Sequence, residues 1–136
     1  MISTATCCCA NVSITISGKP AINAVCHCDN CKKRTGSAFG LSIYVKNQQI
    51  IRISGDTEIY ALNNNDVRQK RHFCKNCGTT LYWTVSSLAD YTGIAGGCFD
   101  NNPLPEPNYT LSNESRLSWL QLPSYFKKHI EPDAIK

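Results

Sequence analysis

The sequence predicts a mainly β fold, built from small antiparallel sheets with one or two short helices and pinned by zinc-binding cysteine clusters. Three observations predict it. Apolar residues alternate with polar ones along several short runs, turn-forming residues separate those runs, and seven of the nine cysteines stand at metal-ligand spacing. At 136 residues the chain reads as one zinc-binding domain spanning 1–136. That is long enough for a modest core and short enough for a structural metal to matter to its stability.

Strands are expected at Val12-Ser13-Ile14-Thr15-Ile16, Leu41-Ser42-Ile43-Tyr44-Val45 and Glu58-Ile59-Tyr60-Ala61-Leu62, where alternation gives each strand one apolar face. Tight turns are expected at Ser17-Gly18-Lys19-Pro20, Ser54-Gly55-Asp56 and Asn63-Asn64-Asn65-Asp66. Two segments suit a short helix: Asp29 to Thr35, with Asp29 as N-cap and Gly36 closing it, and Pro123 to His129. Asn101-Asn102-Pro103-Leu104-Pro105-Glu106-Pro107 reads as a stiff loop. No internal repeat or low-complexity tract stands out, although the two cysteine-containing turns admit a pseudo-symmetric pair of sheets.

The cysteines form three clusters: Cys7 and Cys9 with Cys8 between them, Cys26-His27-Cys28-Asp29-Asn30-Cys31, and Cys74-Lys75-Asn76-Cys77-Gly78. Residues two apart on a strand share a face, so Cys7 pairs with Cys9 and Cys26 with Cys28, turning Cys8 and His27 away. Cys31 arrives from the turn into the short helix. Cys74 and Cys77 flank a zinc-knuckle turn in which Gly78 permits a left-handed backbone. Seven ligands divide as four plus three: a closed structural zinc and an open site with room for water or substrate. Disulfides fit poorly, since the count is odd and such near neighbours bridge only with strain. The N-terminal residues lack a signal-peptide pattern and no stretch approaches the ~18 apolar residues of a membrane span. A soluble, cytoplasmic protein without a membrane partner is therefore expected.

The net charge of +4 is mild for a nucleic-acid binder. Lys32-Lys33-Arg34 and Arg68-Gln69-Lys70-Arg71-His72 concentrate positive charge beside cysteine clusters, where cations can stabilise thiolates or receive an anion; ordinary solvated surface is the plainer reading.

The chain closely resembles the glutathione-dependent formaldehyde-activating enzyme family, whose relatives include centromere protein V. The match is carried by Cys7-x-Cys9, by Cys26-His27-Cys28-x-x-Cys31-Lys32-Lys33-x-x-Gly36-Ser37-x-Phe39 and by Phe73-Cys74-x-x-Cys77-Gly78. It continues through Gly97-x-x-Asp100, Ser115-Arg116-x-x-Trp119 and Leu122-Pro123-x-Tyr125-Phe126. The resemblance implies a β-tent fold, a structural zinc on Cys7, Cys9, Cys74 and Cys77, and a second zinc on Cys26, Cys28 and Cys31 open to a substrate thiol. It also implies a carbon–sulfur lyase that makes or cleaves S-(hydroxymethyl)glutathione, with zinc and glutathione as cofactor and co-substrate. Lys32, Lys33 and Arg34 are the nearest cations for the anionic ends of glutathione, with Arg68 and Arg71 next. The chain departs from the family pattern in having Ala10-Asn11 where a glycine usually follows the first Cys-x-Cys, and in the extra thiol of Cys8.

Several conspicuous residues have plainer roles. His27 is expected to be structural or exposed, and Cys98, on an apolar strand, a small buried residue. Most of Trp83, Trp119, Tyr82 and Phe73 should be core, with one left for a ligand pocket. Two other functions stay open: a non-catalytic zinc scaffold for a protein or nucleic-acid partner, and a redox sensor using Cys26, Cys28 and Cys31. The fourth ligand of the second site separates the lyase from the scaffold. A homo-oligomeric state is left open.

Overall fold

The computed structural model describes residues 1–64, 66–100 and 104–135. Among them run ten strands and one α-helix: β1 (Ile2–Thr6), β2 (Ser13–Ser17), β3 (Ile22–Cys26), α1 (Asp29–Thr35), β4 (Gly40–Lys46), β5 (Ile50–Ser54), β6 (Thr57–Asn64), β7 (Val67–Cys74), β8 (Thr80–Val85), β9 (Tyr91–Ala95) and β10 (Tyr109–Leu111). They form a three-stranded sheet, β1-β2-β5, and a seven-stranded sheet, β10-β3-β4-β9-β8-β7-β6. The pairings are antiparallel as expected, except that β10 lies parallel to β3.

Alternation explains the packing. In β2 the even residues Ile14 and Ile16 are fully buried while Ser13, Thr15 and Ser17 are half-buried. With Ala5 of β1 they pack against Ile43, Val45, Tyr82 and Ile94 on one face of the large sheet. Burying each such isoleucine contributes about 1.5–3 kcal/mol. Val12, Cys7 and Cys74 belong to the same core, so the first cysteine cluster is anchored in it.

The other face of the large sheet carries a row set by register: Tyr44 opposite Gly93, Gly93 opposite Trp83, Trp83 opposite Arg71. Trp83 is buried against the bare Gly93 backbone, and its Nε1–H donates to the Tyr44 hydroxyl at 3.0 Å. Helix α1 reaches this face through Arg34, whose guanidinium carbon lies 4.5 Å from the centre of the Trp83 ring.

Helix α1 forms where expected and ends on Gly36, at φ 64°. Its N-cap, however, is Cys28 and not Asp29: the Cys28 sulfur accepts the backbone N–H of Cys31 at 3.3 Å. Asp29 sits in the first turn, where its charge complements the helix dipole and pairs with Lys32 at 3.5 Å. The expected helix at Pro123 to His129 does not form. Phe126 N–H closes a turn on Pro123 C=O at 3.2 Å, and Lys127 then exchanges backbone hydrogen bonds with Asn108 and Thr110, both at 2.8 Å. The edge beside β10 offers these backbone partners, and the segment takes them in place of helical ones.

Gly18 and Gly55, in two of the expected turns, have φ of 78° and 97°. Of the third turn, Asn65 lies outside the described residues. The same holds for Asn101, Asn102 and Pro103 of the expected stiff loop, whose remainder, residues 104–107, has no regular structure. Trp83 and Tyr82 are core and Phe73 is half-buried, but Trp119 is 70% exposed. Among the described residues no helix is long and apolar enough to cross a membrane.

Candidate functional site

Two groups of sulfurs converge. The first joins Cys7, Cys9, Cys74 and Cys77, all within 4.8 Å of one another. Cys9 Sγ is 3.7 Å from Cys7 Sγ and 3.6 Å from Cys74 Sγ. A tetrahedral zinc with Zn–S of about 2.3 Å separates its sulfurs by about 3.8 Å, so the residues present fit this metal. Backbone N–H groups of Val12 and Asn76 point at Cys7 Sγ (3.2 Å) and Cys74 Sγ (3.4 Å), the pattern that stabilises thiolates in a knuckle. Burial pushes the Cys7 thiol up to about 11, whereas bonds from Thr79 bring Cys77 down to about 5.

The strand argument for Cys7 and Cys9 needs correction. β1 ends at Thr6, and Cys7 to Ala10 form a tight turn closed by Ala10 N–H on Cys7 C=O at 2.9 Å. The turn brings residues two apart together as a strand would, and leaves Cys8 exposed. Ala10 carries the turn at φ 67°, in the left-handed region where a glycine is the unstrained choice.

The second group joins Cys26 at the end of β3, Cys28 at the N-cap and Cys31 in α1, with sulfurs again within 4.8 Å. Hydrogen bonds from Cys26 and Cys31 hold the Cys28 thiol far down, at about 2, while the same bonds push Cys26 up. Close packing of three thiols favours the thiolate at Cys28, the form in which cysteine binds a metal.

Among the described residues no His, Asp, Glu or further Cys completes this group. His27 is fully buried and faces away: its Nε2 lies 3.0 Å from Thr110 Oγ1. Because that hydroxyl donates to Asn113 Oδ1 at 2.8 Å, Nε2 carries the proton, and burial keeps the ring neutral. With His27 N–H bonded to Leu111 C=O at 3.0 Å, the residue ties β10 to β3. Cys98 is half-buried in a separate cavity of ≈ 400 Å³, beside Arg34 and Thr79.

The three cysteines line a cavity of ≈ 360 Å³ whose other walls include Tyr44, Gln69, Arg71 and Leu62. Of the helix cations, Lys32 donates to Ser115 C=O at 2.9 Å, Lys33 is exposed, and Arg34 stacks on Trp83. None of them lines this cavity. Arg71 does: it is buried, its Nε donates to Gln69 Oε1 at 3.1 Å, and burial and then Arg34 draw its pKa down from the ordinary arginine value. Arg68 is exposed. Tyr44, Ser42 and Gln69, which also line the cavity, were not singled out by sequence; strand register brings them there, Tyr44 in the row of Trp83 and Arg71, Ser42 opposite Ala95 and Gln69 between Leu62 and Val85.

Comparisons with known proteins place the chain in a family. The family model for the glutathione-dependent formaldehyde-activating enzyme matches residues 2–115. A Penicillium rubens protein named "Putative glutathione-dependent formaldehyde-activating enzyme" is 24% identical over 90 residues, 65% of this chain and 47% of that protein. A Podospora anserina protein of the same name is 28% identical over 83 residues, 61% of this chain and 38% of that one. The chain thus spans less than half the length of these curated relatives. A crystal structure of a Rhodobacter sphaeroides protein superposes with a TM-score of 0.58 at 21% identity, over 74% of this chain and 91% of that one, and shares its fold. With a family match running from β1 to Ser115 and including all seven clustered cysteines, the chain belongs to the glutathione-dependent formaldehyde-activating enzyme family.

Proposed function

We propose that the chain is a zinc-dependent carbon–sulfur lyase that forms and cleaves the adduct of a small-molecule thiol, such as glutathione, with formaldehyde. The observation that carries this reading is the group of three cysteine sulfurs, with no fourth side chain among the described residues, at the wall of a ≈ 360 Å³ cavity. Cys26, Cys28 and Cys31 would hold one zinc and Cys7, Cys9, Cys74 and Cys77 another, the second being structural. Zinc held by three protein ligands supplies an open position at which a thiol binds as its thiolate.

The chain's own residues do the rest. Arg71, buried in the cavity wall, meets an anionic group of the thiol and orients it. Tyr44 stays neutral, its pKa raised by burial. Its oxygen accepts from Trp83, which leaves its own O–H to donate to the carbonyl oxygen of the aldehyde. In the forward direction the S–C bond forms, the carbonyl π pair moves to oxygen, and that oxygen takes the proton the thiol gives up. All nine cysteines are free, which suits a reducing, cytoplasmic setting.

The test is exchange NMR of glutathione with formaldehyde, with and without zinc-loaded protein. Acceleration above the spontaneous rate, lost in Cys28→Ser, supports the lyase. A protein that binds zinc at both groups yet accelerates nothing is a scaffold.

A further inference from the structure

We propose that the adduct handled at the Cys26, Cys28, Cys31 site carries an apolar group of several carbons and a carboxylate, selected by Leu62, Val67, Val85 and Leu111 with Arg71. This rests on the thiol-site reading above. It concerns what fills the cavity beyond the reacting sulfur.

The seven-stranded sheet folds its two ends toward each other to make the cavity. Leu111 of β10 is paired with Cys26 of β3 at one end. Leu62, Gln69 and Val85 stand in one row across β6, β7 and β8 at the other. All of these contribute to the same cavity wall. The four apolar side chains are half-buried, so each keeps apolar surface that a ligand can cover. Formaldehyde brings one carbon, and glutathione is polar along its whole length; neither covers that surface.

The charges point the same way. Among the described residues no Asp or Glu lines the cavity, so the ammonium group of glutathione meets no carboxylate from them there. Among the described residues Arg71 is the one cation of the wall, and it takes part in none of their ion pairs. Its hydrogen bonds go to neutral acceptors, Gln69 Oε1 at 3.1 Å and Asn30 C=O at 3.5 Å, so the guanidinium keeps its charge for a carboxylate of the ligand. A carboxylate and an apolar body satisfy both features.

The apolar group can enter on either side of the reacting sulfur. In R–SH + R′–CHO giving R–S–CH(OH)–R′, the S–C bond forms, the C=O π bond opens and the thiol proton ends on oxygen, whichever of R and R′ is apolar. The wall sees the same chemistry in both cases.

Exchange NMR with zinc-loaded protein and four reactant pairs tests this: glutathione or 6-mercaptohexanoate, each with formaldehyde or hexanal. Replacing glutathione or formaldehyde by its apolar counterpart should raise kcat/KM about tenfold or more over the glutathione–formaldehyde pair. The arm that rises tells which partner carries the apolar group. Leu62→Gln and Leu111→Gln should each bring that ratio to within about threefold, at unchanged zinc content. Calorimetry gives a readout without turnover: 6-mercaptohexanoate should bind zinc-loaded wild type more tightly than glutathione if the thiol is the apolar partner. If hexanal is instead, saturating hexanal should raise the affinity for glutathione. No preference in either arm, or a ratio unmoved by both variants, overturns the inference and leaves the thiol site standing. No thiol binding and no acceleration with any pair, at two zinc ions per chain, overturns the thiol site and the inference with it.

Discussion

Cys9 Sγ lies 3.6 Å from Cys74 Sγ, across 65 residues of sequence. The contact joins the turn after β1 to the turn after β7, and so clips the small sheet to the large one at the edge of their shared core. Loop closure of that length costs the unfolded chain little extra per residue, but a metal holding all four sulfurs makes its binding energy part of the folding energy.

Chelation should therefore abolish cooperative thermal unfolding, and Cys74→Ser should do the same while lowering zinc content. Circular dichroism melting alongside metal analysis checks both. A Cys74→Ser protein with wild-type zinc and Tm would remove the structural role of this cluster.

Ala10 occupies a left-handed position at φ 67°. Ala10→Gly relieves about 1–2 kcal/mol of backbone strain and gives back part of it through the freer unfolded chain, for a net gain of about 0.5–1 kcal/mol. Denaturant unfolding of the zinc-loaded protein should show the midpoint rising.

Thr110 receives the proton-bearing nitrogen of His27 at 3.0 Å in a fully buried setting. Thr110→Val keeps the shape and removes the acceptor, leaving that N–H unpaired at a cost of about 1–3 kcal/mol. The loss should appear in denaturant unfolding with both metal sites still filled, because neither His27 nor Thr110 belongs to a cysteine group.

Arg71→Leu should raise KM for an anionic thiol about tenfold or more, as expected for loss of a charge-assisted hydrogen bond, at unchanged zinc stoichiometry. The same substitution should leave KM for a neutral thiol such as 2-mercaptoethanol nearly unchanged. Equal losses for both thiols would make Arg71 a packing residue only.

How much of this was legible depends on how local each signal is. The cysteine clusters stand out because a metal fixes its ligand spacing within a few residues. Even there, Cys7-x-Cys9 fits strand alternation in sequence although the chain makes a turn, since both geometries bring residues two apart together. The direction of His27 followed from its neighbours. Arg71 ranked behind Lys32, Lys33 and Arg34 because nearness in sequence favours the helix cations. Its place in the cavity comes from the row Tyr44, Gly93, Trp83 and Arg71, in which the pairing of Tyr44 with Gly93 across β4 and β9 is a register that no short window of sequence contains. The segment Pro123 to His129 failed as a helix for a similar reason: its partners, Asn108 and Thr110, lie on a remote strand edge.

The open second site is tested most directly by cobalt substitution, following thiolate-to-metal charge-transfer absorbance while glutathione is added. Four sulfurs at one group and three at the other predict two cobalt ions per chain. The absorbance should then rise by about one-seventh as the thiol supplies an eighth sulfur. Cys28→Ser should stay folded, hold one ion and show no rise. One ion per chain in the wild type, or two with no change on adding glutathione, would contradict an open thiol-accepting site.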